Sequence, residues 1–211
     1  MIKLFIFIGF CFFTLLSHAG AYDDILVAVN NDDSAAVIEL IDRGMDVNTA
    51  DPAGSTLLML AARNGNQALV DRLIKSKAAV NHLNRYGDSA LTLAALKGRL
   101  PIVKMLLDAG AEVNPSGWTP LHYAAFSGNK KLVALLIKSG AKPDLRAPNR
   151  QTALMLAARN GDEDTVRLLI AAGADISLQD GTGKTARQIA LQYGNTDSAR
   201  WLVAPELPVN E

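Results

Sequence analysis

Residues 118–128, Trp118-Thr119-Pro120-Leu121-His122-Tyr123-Ala124-Ala125-Phe126-Ser127-Gly128, decide the architecture because their punctuation recurs along the chain. The closing glycine has counterparts at Gly65, Gly98, Gly161 and Gly194, so the five are spaced 33, 30, 33 and 33 residues apart. Ala124-Ala125 stands in the place of Ala61-Ala62, Ala94-Ala95, Ala157-Ala158 and Ala190-Leu191. After each glycine comes a set at i, i+1, i+4 and i+5. These are Leu69/Val70/Leu73/Ile74, Ile102/Val103/Leu106/Leu107, Leu132/Val133/Leu136/Ile137, Thr165/Val166/Leu169/Ile170 and, weakened, Ser198/Ala199/Leu202/Val203. Counting back 33 residues from the first set reaches Ala36/Val37/Leu40/Ile41, a sixth copy. A fixed period of this size marks a stack of supersecondary units, none of which can bury its apolar face alone.

Each unit carries two helical patterns. The first is short and Ala-rich, which lets another helix approach closely; the second has one apolar stripe that its neighbours must cover. Asn64-Gly65, Ser127-Gly128 and Asn160-Gly161 supply the positive-φ stop that a helix end favours. Gly44, Gly110, Gly140 and Gly173 end the second helix and lead into exits such as Asp46-Val47-Asn48 and Glu112-Val113-Asn114. Polar turns, Asp51-Pro52-Ala53-Gly54 and Asp180-Gly181-Thr182-Gly183, then connect to the next unit.

Two further details give the pattern a family. Thr119-Pro120-Leu121-His122-Tyr123-Ala124 and the closes Gly110-Ala111-Glu112 and Gly173-Ala174-Asp175 resemble the T-P-L-H-x-A and G-A-D-V-N elements of ankyrin-repeat proteins. The resemblance covers residues 22–204 and implies an all-α repeat solenoid, an array of about six helix–turn–helix repeats with β-hairpin fingers along one edge. The repeats fall at about 22–48, 49–81, 82–114, 115–144, 145–177 and 178–204, followed by a tail over 205–211. Departures from the pattern carry expectations. Lys77 stands where a glycine should, implying mild left-handed strain, and Arg150 replaces a finger glycine. The connection Asn114-Pro115-Ser116-Gly117 is three residues short, so its finger should be blunt and leave a notch. The first repeat lacks a preceding finger, and the last exchanges stripe positions for Ser198 and Ala199, as end caps would.

Residues 1–21 read as an address. Lys3, the apolar run Leu4 to Leu16 and the small residues ending at Ala19 and Ala21 form a secretory signal peptide, with cleavage before Tyr22. The run of 13 residues is short for a bilayer span, and Cys11 lacks the small residue before it that lipid attachment needs. Removing Lys3, Cys11 and His18 leaves 20 basic and 21 acidic residues, two His and no Cys. A thiol-free chain suits an oxidising compartment, and a bacterial periplasm is expected. The charge balance counts against nucleic acid as partner. No cofactor, no membrane contact after cleavage and a monomer are expected.

The chemistry-bearing motifs have plainer readings. Gly181-Thr182-Gly183-Lys184-Thr185 looks like a phosphate loop, yet the position that pattern needs as its first glycine is Leu178 and no apolar strand precedes it. Asp32-Asp33 and Asp162-Glu163-Asp164 sit where carboxylates complement a helix N-terminus, without the ligand order of a calcium loop. The resemblance makes His122 structural, in an element where Thr119 caps the helix and Pro120 fills its first turn. No Ser–His–Asp set and no metal set stands out, so no catalytic or metal residue is assigned.

The resemblance places partner contacts at the finger turns and at the two positions between the Ala pair and the stop glycine. The candidates are Arg63, Arg85, Tyr86, Lys97, Trp118, Phe126, Arg159 and Tyr193, with Asn64, Asp88, Leu96, Ser116, Ser127, Asn149, Gln151, Asn160, Thr182, Lys184 and Gln192 in the same rows. Exposed aromatics and arginines dominate interface energetics, about 2 kcal/mol or more each when desolvated. Against this stands a plug, with Trp118 and Phe126 folding back over the short finger. The expected function is a non-catalytic interaction module that binds a folded protein through its concave face. It would be of the immunity/inhibitor type or an accessory to an exported oxidative-stress enzyme such as a catalase. The other classes are a small-molecule binder or enzyme at the notch of 115–117, and a structural spacer.

Overall fold

A computed structural model of the chain describes residues 20–203. Residues 1–19, which carry the apolar run expected to be a signal peptide, and the tail from residue 204 lie outside the described residues. Gly20 and Ala21, at the expected cleavage point, belong to the first helix, α1, over 20–30. Eleven more follow: α2 (Ser34–Asp42), α3 (Leu57–Asn64), α4 (Gln67–Lys75), α5 (Ala90–Leu96), α6 (Leu100–Asp108), α7 (Pro120–Phe126), α8 (Lys130–Lys138), α9 (Ala153–Asn160), α10 (Glu163–Ala171), α11 (Ala186–Gln192) and α12 (Thr196–Trp201).

The helices pair as the period requires. Odd-numbered helices α3 to α11 pack on one another in sequence as an inner layer, and even-numbered ones do so more loosely as an outer layer. The inner helices are sealed: every residue from Leu57 to Ala62 in α3 and from Ala153 to Ala158 in α9 is buried. The outer helices bury a single stripe, Leu69/Val70/Leu73 in α4 and Leu132/Val133/Leu136 in α8. Alanine pairs let the inner layer draw together where the bulkier outer stripes do not, so the stack bends toward its inner face.

Local chemistry fixes each boundary. Thr56, Ser89, Thr119, Thr152 and Thr185 cap the inner helices through their hydroxyls. Asp33, Asn66, Asn129 and Asp162 cap outer helices, so both acidic clusters are caps as expected. The stop glycines all have positive φ, and so do Lys77 (66°), read as strained, and Arg150 (62°), read as replacing a finger glycine. Asp32 (63°) also occupies the stop position, an instance that attention to its capping neighbour obscured.

Repeats are also joined by a polar ladder. The exit residues Asn48, Asn81, Asn114 and Asp144 each accept a hydrogen bond from a backbone N–H of the following repeat, at Ala79, Glu112, Lys142 and Asp175, over 2.8–2.9 Å. Asn81 and Asn114 also donate to the carbonyls of Gly110 and Gly140. That double use favours asparagine at these two exits, whereas Asp144 can only accept.

The fingers are shorter than the hairpins the family resemblance implied. The described residues contain two isolated antiparallel bridges, Ala50 with Thr56 and Gln179 with Thr185, and no extended strand. Neighbouring fingers touch through Arg85 N–H to Ala53 O (3.0 Å) and Gly181 N–H to Asn149 O (3.1 Å). The short connection is blunt as expected: no backbone hydrogen bond joins residues 115–118 to either adjacent finger.

The C-terminal end is the weaker cap. Ser198 and Thr165 occupy the same stripe position in successive repeats, and both hydroxyls are buried without a partner. An unsatisfied buried hydroxyl costs about 1–3 kcal/mol, and repeats 2 to 4 place Leu69, Ile102 and Leu132 there. Thr165→Val is therefore expected to stabilise the protein by about 1 kcal/mol, read as a higher urea midpoint at unchanged m-value. A lower midpoint would contradict this assignment.

Candidate functional site

At 3.6 residues per turn, the residues after each buried Ala pair come round to the open side of the inner layer. Repeats 2 to 5 present Arg63, Leu96, Phe126 and Arg159 there in order, an apolar pair flanked by arginines. Phe126 is 46% exposed and Leu96 36%. Both belong to the last residues of helices held rigid by their buried neighbours.

The other candidates divide by what they touch. Tyr86 tops its finger, 79% exposed, beside Arg85, whose side chain lies over Gly54 of the preceding finger. Adding a Cβ at Gly54 would bring it to 3.9 Å of that side chain. Lys97 is exposed at the end of α5. Arg63 donates to Asn30 Oδ1 (3.3 Å), and Arg159 lies over the Tyr193 ring, 5.1 Å from its centroid. Arg159 and Tyr193 line a shallow recess of about 170 Å³ with Lys184 and Gln192, where the lysine donates to the Gln192 carbonyl oxygen at 2.6 Å.

Trp118 does not join Phe126 as a free aromatic. It is half-buried against the core, stacked on Tyr123 (centroids 5.6 Å apart, 29° between planes) and edge-on to His122 (5.7 Å, 69°). Here the plug reading holds for Trp118, while Phe126 stays out of the gap. The sequence also treated the mapped rows as free of structural duty, and several of their members are not. Asn64 donates to Val29 O, Asn160 to Phe126 O, and Asp88 accepts the Tyr123 hydroxyl at 3.2 Å.

The Asp88–Tyr123 contact tunes both groups. Burial pushes the Asp88 carboxyl up against the opposing pull of the hydroxyl. Burial and the facing carboxylate push Tyr123 up to about 12. The hydroxyl is thus a fixed donor, and the notch beside it presents aromatic packing with one bonded carboxylate. Tyr123, absent from the sequence candidates, organises this corner; its place at the fourth helical position, with Trp118 just before the cap, was the available signal.

His122 is structural on both nitrogens. Nε2 lies 3.0 Å from Leu145 O and 3.1 Å from Gln151 O, and carbonyls only accept, so this nitrogen carries the proton. Nδ1 then accepts from Thr119 N–H at 3.1 Å. The supposed phosphate loop is a finger turn: Asp180 Oδ1 accepts from the backbone of Thr182 and Lys184. Burial alone would raise the Asp180 carboxyl, and these bonds with the Thr182 hydroxyl hold it below the usual range. Among the described residues no group of three or more His, Cys, Asp or Glu side chains could hold a metal, and no helix is long and apolar enough to cross a membrane.

A second surface feature escaped the sequence reading. On the outer layer Trp201 donates to Glu163 at 3.0 Å and lies under Arg167, 4.5 Å from the ring centroid. Trp201 and Arg167 line a groove of about 510 Å³ with Leu168, Ile170 and Lys130.

Comparison with known proteins agrees with the helix pairs. No curated protein matches the chain in sequence. A family model described as ankyrin repeats (3 copies) matches residues 25–116 and again 121–211, the two matches meeting at the blunt finger. Ankyrin arrays are generally protein–protein interaction modules. With capped helix pairs, stop glycines and exit ladder repeating in phase across both matches, the chain belongs to the ankyrin-repeat family.

Proposed function

We propose that this protein is a non-catalytic interaction module that binds a folded protein through its inner face. Its N-terminal signal would deliver it to a bacterial periplasm, to act there as an inhibitor of, or accessory to, its partner. The observation that carries the reading is the Leu96–Phe126 pair. Two large apolar side chains occupy the same position in adjacent repeats, both exposed to water, between Arg63 and Arg159 in the repeats on either side. Apolar side chains clustered with Arg are the usual anchors of protein interfaces. Tyr86 on the finger and Tyr193 in the last repeat extend the surface in both directions. The titratable groups that a catalytic site would need near the notch are engaged internally, at Asp88, Tyr123 and His122.

Capture from a periplasmic extract tests this. Wild type is expected to retain a specific protein that Leu96→Ala/Phe126→Ala loses by at least about tenfold, at unchanged helicity, since one anchor is worth about 2 kcal/mol. Retention by the double variant at wild-type level would remove this surface from consideration. Trp118→Ala is a poor probe, because it also removes the packing on Tyr123 and His122.

A further inference from the structure

Charge is segregated between the two layers. All five ion pairs among the described residues lie on the outer helices or their caps: Arg43–Glu39, Arg72–Asp42, Lys75–Asp71, Lys130–Asp164 and Arg200–Asp197. The inner face is different. Its finger tips, the residues before each cap and the pairs after each small dipeptide place Arg63, Arg85, Lys97, Arg150, Arg159 and Lys184 along repeats 2 to 6. None of the six forms an ion pair among the described residues. The contacts that do occur are to neutral groups, Arg63 to Asn30, Arg159 to Tyr193 and Lys184 to Gln192.

Carboxylates offset them only in part. In those rows Asp88 alone is acidic, and it is half-buried beneath the Tyr123 hydroxyl. Asp51 and Asp180, at the bases of their fingers, accept hydrogen bonds from Ser55 and from Thr182 and Lys184 within their own turns. A chain with formal net charge +0 thus turns a surface of net positive charge inward, six cations against the carboxylates of Asp51, Asp88 and Asp180. Electrostatic complementarity selects partners and speeds their encounter.

We infer that the inner face takes a partner protein whose contact patch is acidic, with carboxylates bracketing an apolar side chain that seats on Leu96 and Phe126. The inference rests on the interaction-module reading and narrows it. The cations are interrupted at the centre by this apolar pair, which suits a protein surface better than a continuous polyanion, whose phosphates would ask for cations there. Arg63 and Arg159, at the flanks, select the charge; Leu96 and Phe126 supply the desolvated centre.

The test titrates the purified chain with three labelled probes. These are a twelve-residue peptide of Glu and Asp around a central Leu-Phe pair, its Lys/Arg counterpart, and an oligothymidylate of matching charge. The acidic peptide is expected to bind at least about tenfold more tightly than the other two. Amide shifts should centre on Leu96 and Phe126, and Arg63→Glu/Arg159→Glu should abolish binding. Equal or weaker binding than the basic peptide overturns the inference, and so does equal or tighter binding of the oligothymidylate at the same amides. Capture from extract separates this failure from that of the parent reading. A protein lost on Leu96→Ala/Phe126→Ala but retained by the charge-reversed variant leaves the module standing and rejects the acidic partner. Retention by both variants rejects the module itself.

Discussion

Leu136→Asp is expected to destabilise the array by about 4 kcal/mol or more and to divide its cooperative unfolding into two transitions. Leu136 is fully buried in α8, in the stripe with Leu132 and Val133. Truncating such a leucine alone costs about 2–5 kcal/mol. The carboxylate adds the penalty of an unpaired buried charge, or of the proton it must take up instead. Each repeat touches only its neighbours, so loosening the fourth separates the units on either side. Urea unfolding followed by circular dichroism reads both effects, and Leu106→Asp should act alike from α6. Ala134→Asp on the exposed side of α8 is the register control, with a change within about 0.5 kcal/mol. A near-neutral Leu136→Asp would mean that the stripe is assigned to the wrong side.

His122→Ala is expected to cost about 3 kcal/mol, because one ring serves three backbone groups. Its removal leaves Thr119 N–H without its cap and frees the carbonyls of Leu145 and Gln151 in the next finger. The equivalent residue of α5 is Thr92, whose hydroxyl closes a capping box on Ser89. His122→Thr should therefore recover the cap but not the link to the next finger, losing about half as much. The imidazole also makes stability depend on pH. Burial holds the folded His122 below its ordinary 6.5 despite the raising influence of the two carbonyls. As pH falls through 6.5 the unfolded chain takes up the proton first, so stability is full above 6.5 and declines below it, until the folded value is passed. The difference in unfolding free energy between wild type and His122→Thr should shrink from pH 7.5 to 5; a constant difference would place His122 in water.

Much of this fold was legible because glycine and alanine report backbone requirements directly. Only a residue free to take positive φ closes these helices, and only a small pair lets the inner layer meet, so their period gave the units. Lys77 and Arg150 were read correctly as exceptions for the same reason. Asp32 was not, since an aspartate next to a helix start has a second and more familiar explanation in capping. Side-chain destinations at the surface were harder. Trp118 and Phe126 look equivalent as sequence, yet Trp118, just before the cap, packs on Tyr123 five residues on and on His122, while Phe126 stays exposed. Asp88 was legible as a charge but not as one engaged by a tyrosine 35 residues away. The charge segregation likewise depends on which side chains form ion pairs, and those pairs, on the outer helices, join residues up to 34 positions apart.

The missing residues between Asn114 and Trp118 have a consequence for how such a chain can change over generations. Losing three residues inside α7 or α8 would turn every later side chain in that helix by about 60° and shift it about 4.5 Å along the axis, taking stripe residues off the neighbours they pack on. The same loss at a finger tip removes a turn and the bond to the adjoining turn, and leaves the helices on both sides in phase. Small deletions and insertions are thus survivable at the fingers, while in the helices the gene can be lengthened or shortened only by whole periods.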